Sequence, residues 1–164
     1  MKTQLVLAIL FTALVSTRAH AVEPGAVEGR MLVSGKAIAL RHAYAATEAS
    51  AQGDGYVRVV LSDQPLSPEQ LAAFPDSMLT EIKAGKLHAL RFLIVDGEGT
   101  LDATDVFDAA GMPTIKEASK LTIESVSGTA IAGRLRLDGV QKFGDWNMTI
   151  EYDLHFAAPI RPAD

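Results

Sequence analysis

The sequence predicts an all-β fold, an antiparallel β-sandwich of about eight strands with a short helical insertion at about 67–84. Three observations lead there. Residues 146–156, WNMTIEYDLHF, place Trp146, Met148, Ile150, Tyr152, Leu154 and Phe156 on one parity, and Asn147, Thr149, Glu151, Asp153 and His155 on the other. A period of two sends one set into a core and the other into water. Short apolar and β-branched segments recur between glycine-bearing turns over most of the chain, the pattern of packed antiparallel strands rather than of alternating βα units. Helix signals concentrate in one stretch, where Ser67-Pro68-Glu69-Gln70 makes a capping box with proline in the first turn.

The chain begins with Lys2, an apolar run from Leu5 to Val15, and then Ala19-His20-Ala21, an A-x-A pattern. This is the layout of a secretory signal, and its apolar part is too short to span a bilayer. Residues 1–21 are read as a signal peptide cleaved after Ala21, and residues 22–164 as a single domain. Cleavage takes two of the 15 cations, Lys2 and Arg18, and none of the 20 acids, for a net charge of −7. With no basic run anywhere, that charge disfavours the phosphate backbone of a nucleic acid. The absence of cysteine excludes disulfides, thiolate metal sites, a cysteine nucleophile and a lipid-anchor cysteine. The expected protein is periplasmic or secreted, soluble after cleavage, with no stable membrane insertion.

After a short lead, residues 29–45 read as a hairpin turning at Ser34-Gly35, with 37–45 as one return strand. Residues 47–55 are polar and read as a loop, and 56–62, YVRVVLS, as a strand. The helical insertion follows, broken near Phe74-Pro75 and stopped at Gly85, with Leu71, Met78, Leu79 and Ile82 on its packing face. Residues 87–95, LHALRFLIV, are nearly all apolar and predict a strand buried on both faces. Asp96-Gly97-Glu98-Gly99 turns the chain into 100–107, and 120–126 with 130–137 form a further hairpin. Pro159 and Pro162 are expected to end the last strand, because proline cannot donate to a ladder.

An early V-x-G-K…L-x-H-A-Y-A hairpin, here VSGKAIALRHAYA, and a late G-R-L-R…F-G-D…F-x-A-P segment, here GRLRLDGVQKFGDWNMTIEYDLHFAAP, are the motifs that stand out. In these motifs the chain resembles small secreted bacterial proteins of unassigned function, over most of residues 29–160. The resemblance implies an exported β domain and carries over no activity and no functional residue. Lys142 stands where the late motif has an aromatic.

Candidate chemistry is sparse. Glu151, Asp153 and His155 form a continuous row on one strand face and could in principle pair for acid–base work. Alternation alone demands polar residues there, however, so the row is read as the wet side of a sheet. His42, His88 and His155 fall on different strands with no H-x-H, H-x-x-H or H-x-x-x-H pair among them. No metal site is assigned, with His42 and His155 the alternative ligands. The stretch from Asp96 fails as a calcium loop, since its sixth residue is Leu101 and its twelfth Phe107. No nucleophile elbow, phosphate loop or dinucleotide fingerprint is present, and no cofactor is implied. In the late loop LDGVQKFGDW, Phe143 and Trp146 are the candidate binding residues, unless they plug the end of the fold. The expected function is a non-catalytic binding or accessory module contacting a protein, a glycan or a small apolar ligand. A hydrolase with a site assembled from distant residues and a copper- or zinc-handling protein are the alternatives.

Overall fold

Ile150, Tyr152, Leu154 and Phe156 are almost completely withdrawn from water, while Asp153 between them is exposed. The alternation of the closing segment is thus realised in three dimensions. The computed structural model describes residues 21–49, 55–95 and 100–161. The proposed signal peptide up to residue 20 and the 96–99 turn lie outside the described residues.

The chain is mostly β. Strands β1 (Val27–Val33), β2 (Lys36–Ile38), β3 (His42–Ala49) and β4 (Gly55–Ser62) precede the helices α1 (Pro68–Ala72) and α2 (Leu79–Lys83). Strands β5 (Ala89–Val95), β6 (Thr100–Phe107), β7 (Thr114–Ile115), β8 (Ser119–Ser127), β9 (Ala130–Leu137), β10 (Gln141–Phe143) and β11 (Met148–Arg161) follow. Short 3-10 turns cover Asp76–Met78 and Gly144–Trp146. No helix among the described residues is long and apolar enough to cross a membrane.

The 11 strands among the described residues belong to one curled sheet, with the path β2-β1-β11-β3-β4-β5-β6-β7 and a branch through β9 to β8. The sheet is mixed, because Ile160 and Arg161 of β11 run parallel to Ala45 and Ala46 of β3. This departs from the expected eight antiparallel strands. The short strands β2, β7 and β10 account for the excess, since segments of two or three residues are too brief to show a period. The curl brings β5 against β11, where Phe92 and Phe156 meet edge to face at 5.4 Å between ring centroids.

Several boundaries differ from expectation for local reasons. The turn at Ser34-Gly35 forms with φ of 49° and 77°, the left-handed pair a tight hairpin needs. The return strand is divided, however. β2 pairs with β1, and after residues 39–41 the chain passes alongside the start of β1, where Val27 N–H donates to the Arg41 carbonyl, to begin β3 beside β4. Residues 47–49, expected in a loop, continue β3 as partners of β4. Trp146 lies in a 3-10 turn, because Asn147 adopts φ 47° and breaks the alternation before Met148.

Pro159 sits inside β11 rather than ending it, opposite Ala130 of β9. The Ala157 N–H points to Ala26 and the Ile160 N–H to Thr129. The nitrogen of Pro159 therefore faces the edge where pairing with β1 has stopped and pairing with β3 has not begun, so its missing donor is not needed there.

Two cores share the strand β5. Leu90, Phe92 and Ile94 enter the main core with Met31, Leu135 and Tyr152. Ala89 belongs to a second cluster on the opposite face, with Val60, Phe74, Met78, Ile82 and Phe107. This is why residues 87–95 carry so little polarity. The second core is where the helical insertion docks, with Phe74 edge-on to Phe107 at 5.0 Å. The capping box forms as expected, the Ser67 hydroxyl accepting from Gln70 N–H at 3.3 Å and Gln70 Oε1 accepting from Ser67 N–H at 2.7 Å.

The Tyr152 hydroxyl is hydrogen-bonded to buried Ser119 of β8, and the equally buried Thr104 of β6 lies beside it. Burial pushes the Tyr152 phenol above its ordinary range. In the unfolded chain it ionises near pH 10, so stability should fall as pH rises from there towards the folded value, by up to about 1.4 kcal/mol per pH unit. Alkaline denaturation of Tyr152→Phe should show a shallower decline than the parent; identical curves would place the ring elsewhere. At the next pair of positions, Ile150→Asp buries an unpaired charge and should cost about 4 kcal/mol or more in urea unfolding. Thr149→Asp should change stability by less than about 0.5 kcal/mol.

Candidate functional site

The row Glu151, Asp153 and His155 lies on the outer face of β11 and is paired strand by strand. Arg30 of β1 approaches Glu151 at 3.8 Å, and Glu124 of β8 approaches His155 Nδ1 at 3.4 Å. Between them Arg134 of β9 grips both oxygens of Asp153, its Nε donating at 2.7 Å. Hydrogen bonds from Arg134 hold the Asp153 carboxyl below the usual carboxylate range. These groups are substantially exposed, and such pairs contribute about 0–1 kcal/mol each. The row is a charge ladder across four strands, with each acid or base already facing an opposite partner.

Of His42, His88 and His155, the first two line one cleft and the third lies apart from them. His155 belongs to the ladder. His42, at the start of β3, stacks with Tyr44 at 6.4 Å between centroids. His88 shares a shallow cleft of about 510 Å³ with His42, Arg41 and Asp63. Among the described residues, no group of three or more His, Asp or Glu is arranged to hold a metal ion.

His88 is the centre of a cluster that sequence reasoning missed. Its Nδ1 faces Asp63 Oδ2 at 2.8 Å, its Nε2 faces Asp108 Oδ2 at 3.3 Å, and its backbone N–H donates to Asp63 Oδ1 at 2.9 Å. Asp63 N–H returns a bond to the His88 carbonyl at 3.1 Å. Asp108 is fixed in turn by Ala110 N–H, which donates to its Oδ1 at 2.8 Å. The ends of β4 and β6 are thereby fastened to the start of β5. Nδ1 is hydrogen-bonded to Asp63, whereas Nε2 only approaches Asp108. The signal in the sequence was a histidine that, with Arg91, interrupts an otherwise apolar run; its partners, 25 residues earlier and on a turn after the next strand, carried none.

Phe143 and Trp146 part company. Phe143 is half-buried against the main core, whereas Trp146 is 42% exposed. The two rings meet at 6.3 Å and 62°. Trp146 lies over the backbone of Gly111, and a Cβ at that position would fall within the indole. Phe143 thus packs on the main core, and Trp146 forms a ledge over the 108–111 turn.

A further pocket lies beneath α1, on the outer face of β3 and β4. Two anchors hold the insertion above the sheet, and an ion pair within the sheet fixes one of them. Tyr44 hydroxyl accepts Leu66 N–H at 2.9 Å, Arg58 Nη2 donates to the Leu71 carbonyl at 3.0 Å, and Arg58 Nε pairs with Glu48 at 2.8 Å. Leu71 packs towards Val60 and Tyr44, but Ala46 and Ala72 are too small to fill the space beside them. A pocket of about 320 Å³ remains, with apolar walls from Tyr44, Ala46, Val60 and Leu71 and charged groups from Arg58, Glu48 and Arg161. Neither helix nor strand signals pointed to it, because it exists only between them.

Replacing His88 tests the fastening role. His88→Leu leaves two largely buried carboxylates without their shared partner and should destabilise the protein by about 3 kcal/mol or more in chemical denaturation. Loss of under about 0.5 kcal/mol would show that the cluster fastens nothing. No family model, no curated protein and no solved structure matches this chain.

Proposed function

We propose that this chain is a non-catalytic exported binding module, whose ligand is a small apolar molecule seated between α1 and the β3–β4 face. The observation that carries the reading is the pocket of about 320 Å³ with apolar walls and a few charged groups. Ligand sites in proteins have this character, and their volumes begin near about 300 Å³. Export rests on the signal-like first 21 residues.

The alternatives find less support. A hydrolase needs a histidine with a nitrogen free to face a nucleophile, and His88 presents both of its nitrogens to aspartates. A copper or zinc handler needs converging ligands, whereas His155 pairs with Glu124 on the outer face and His42 stacks on Tyr44. The exposure of Trp146 favours a second contact surface, for a protein or glycan, at the ledge over Gly111.

The neutral fluorophore N-phenyl-1-naphthylamine should bind the protein saturably, with one site per chain. Ala46→Phe, which fills the pocket from the sheet side, should weaken that binding about tenfold or more at an unchanged melting temperature. Undiminished binding by a folded Ala46→Phe protein would overturn the assignment of the pocket.

A further inference from the structure

Charge around the pocket narrows its ligand, on the reading that it is a ligand site. Ile160 and Arg161 run parallel to Ala45 and Ala46 in register, so Arg161 lies beside Ala46, a wall of the pocket. Arg58 comes from the next strand. A guanidinium carries five N–H donors, and two of those on Arg58 are engaged by Glu48 and the Leu71 carbonyl. Its remaining donors are held next to apolar walls by contacts that fix the side chain.

The nearby acid is already committed. Glu48 pairs with Arg58, and its carboxylate near Tyr56 raises that phenol above its ordinary range. Two guanidinium groups therefore surround the pocket against one compensated carboxylate. That excess stands out on a chain whose expected mature form carries a net charge of −7, where negative potential elsewhere repels anions.

From this juxtaposition we infer that the ligand is a monoanionic amphiphile: an apolar body between Leu71 and the Tyr44, Ala46 and Val60 face, and a carboxylate at Arg161 and Arg58. The planar guanidinium matches a carboxylate's two oxygens, and hydrogen bonds between charged partners are about twice as strong as neutral ones. The partly apolar surroundings reduce the screening that weakens such contacts in open water. Arg161 supplies attraction, and Arg58, already fixed, supplies orientation.

Calorimetric titration of the protein with octanoate and with 1-octanol, both below their aggregation concentrations, separates charge from apolar burial. Octanoate should bind about tenfold tighter than octanol, a difference of about 1.4 kcal/mol. Raising salt from about 20 mM to about 500 mM should weaken octanoate alone. Arg161→Gln should bring octanoate down to the affinity of octanol and leave octanol unchanged. Equal affinities in the parent protein would overturn the anionic assignment while leaving the apolar pocket standing, as long as Ala46→Phe blocks both. Failure of octanoate, octanol and the neutral fluorophore alike would overturn the pocket reading with it.

Discussion

The period-two alternation of β11 is the constraint from which the remaining structure follows. Over Met148–Arg161 this strand pairs with β1, β9, β10 and β3, so four neighbours take their register from it. Each of its inward side chains, from Ile150 to Phe156, is worth about 1.5–3 kcal/mol when withdrawn from water. A shift of one residue would invert every one of them and expose the main core. The outward residues then become a row of charges facing Arg30, Arg134 and Glu124, and their pairing is a consequence of that register.

A curled sheet has two faces, and this protein uses both. The inner face is filled by large side chains from β1, β5, β9 and β11. The outer face of β4, β5 and β6 would expose Val60, Ala89 and Phe107 were it not covered by the helical insertion. Phe74, Met78 and Ile82 close most of that surface. The first turn of helix covers it less completely, since Leu71 is only half-buried and its neighbour Ala72 adds no bulk. The apolar pocket is the region where the cover lifts away from β3, held at a distance by Arg58 and Tyr44. Its existence is therefore tied to the way the second core is capped.

The buried cluster of Asp63, His88 and Asp108 has the composition of a catalytic site and the geometry of a fastener. Each carboxylate also accepts from a backbone N–H, so all three side chains are held by the ends of strands they join. Residue types alone invite an acid–base reading; in the fold the ring nitrogen turned away from Asp63 faces the second aspartate. Trp146 shows the reverse case. Alternation assigned it to the core with Met148, yet the left-handed Asn147 turns the chain between them and leaves the indole resting over Gly111.

Features that depend on neighbours within a few residues were legible in the sequence by itself. The Ser34-Gly35 turn, the Ser67–Gln70 capping box, the strand within 87–95 and the two faces of 148–156 all rest on local backbone preference or on side chains two apart. Tertiary structure decided what depends on chain segments distant in sequence. It joined β11 to β3 in parallel, carried β11 past Pro159, divided the return strand at residues 39–41, and set Asp63 and Asp108 on either side of His88. The physical reason is common to these cases. Alternation states which side of a strand is apolar, but it carries no information about which strand lies alongside. That choice is made by long-range packing, and the apolar pocket with its two arginines, assembled from β3, β4, α1 and the end of β11, exists only after it is made.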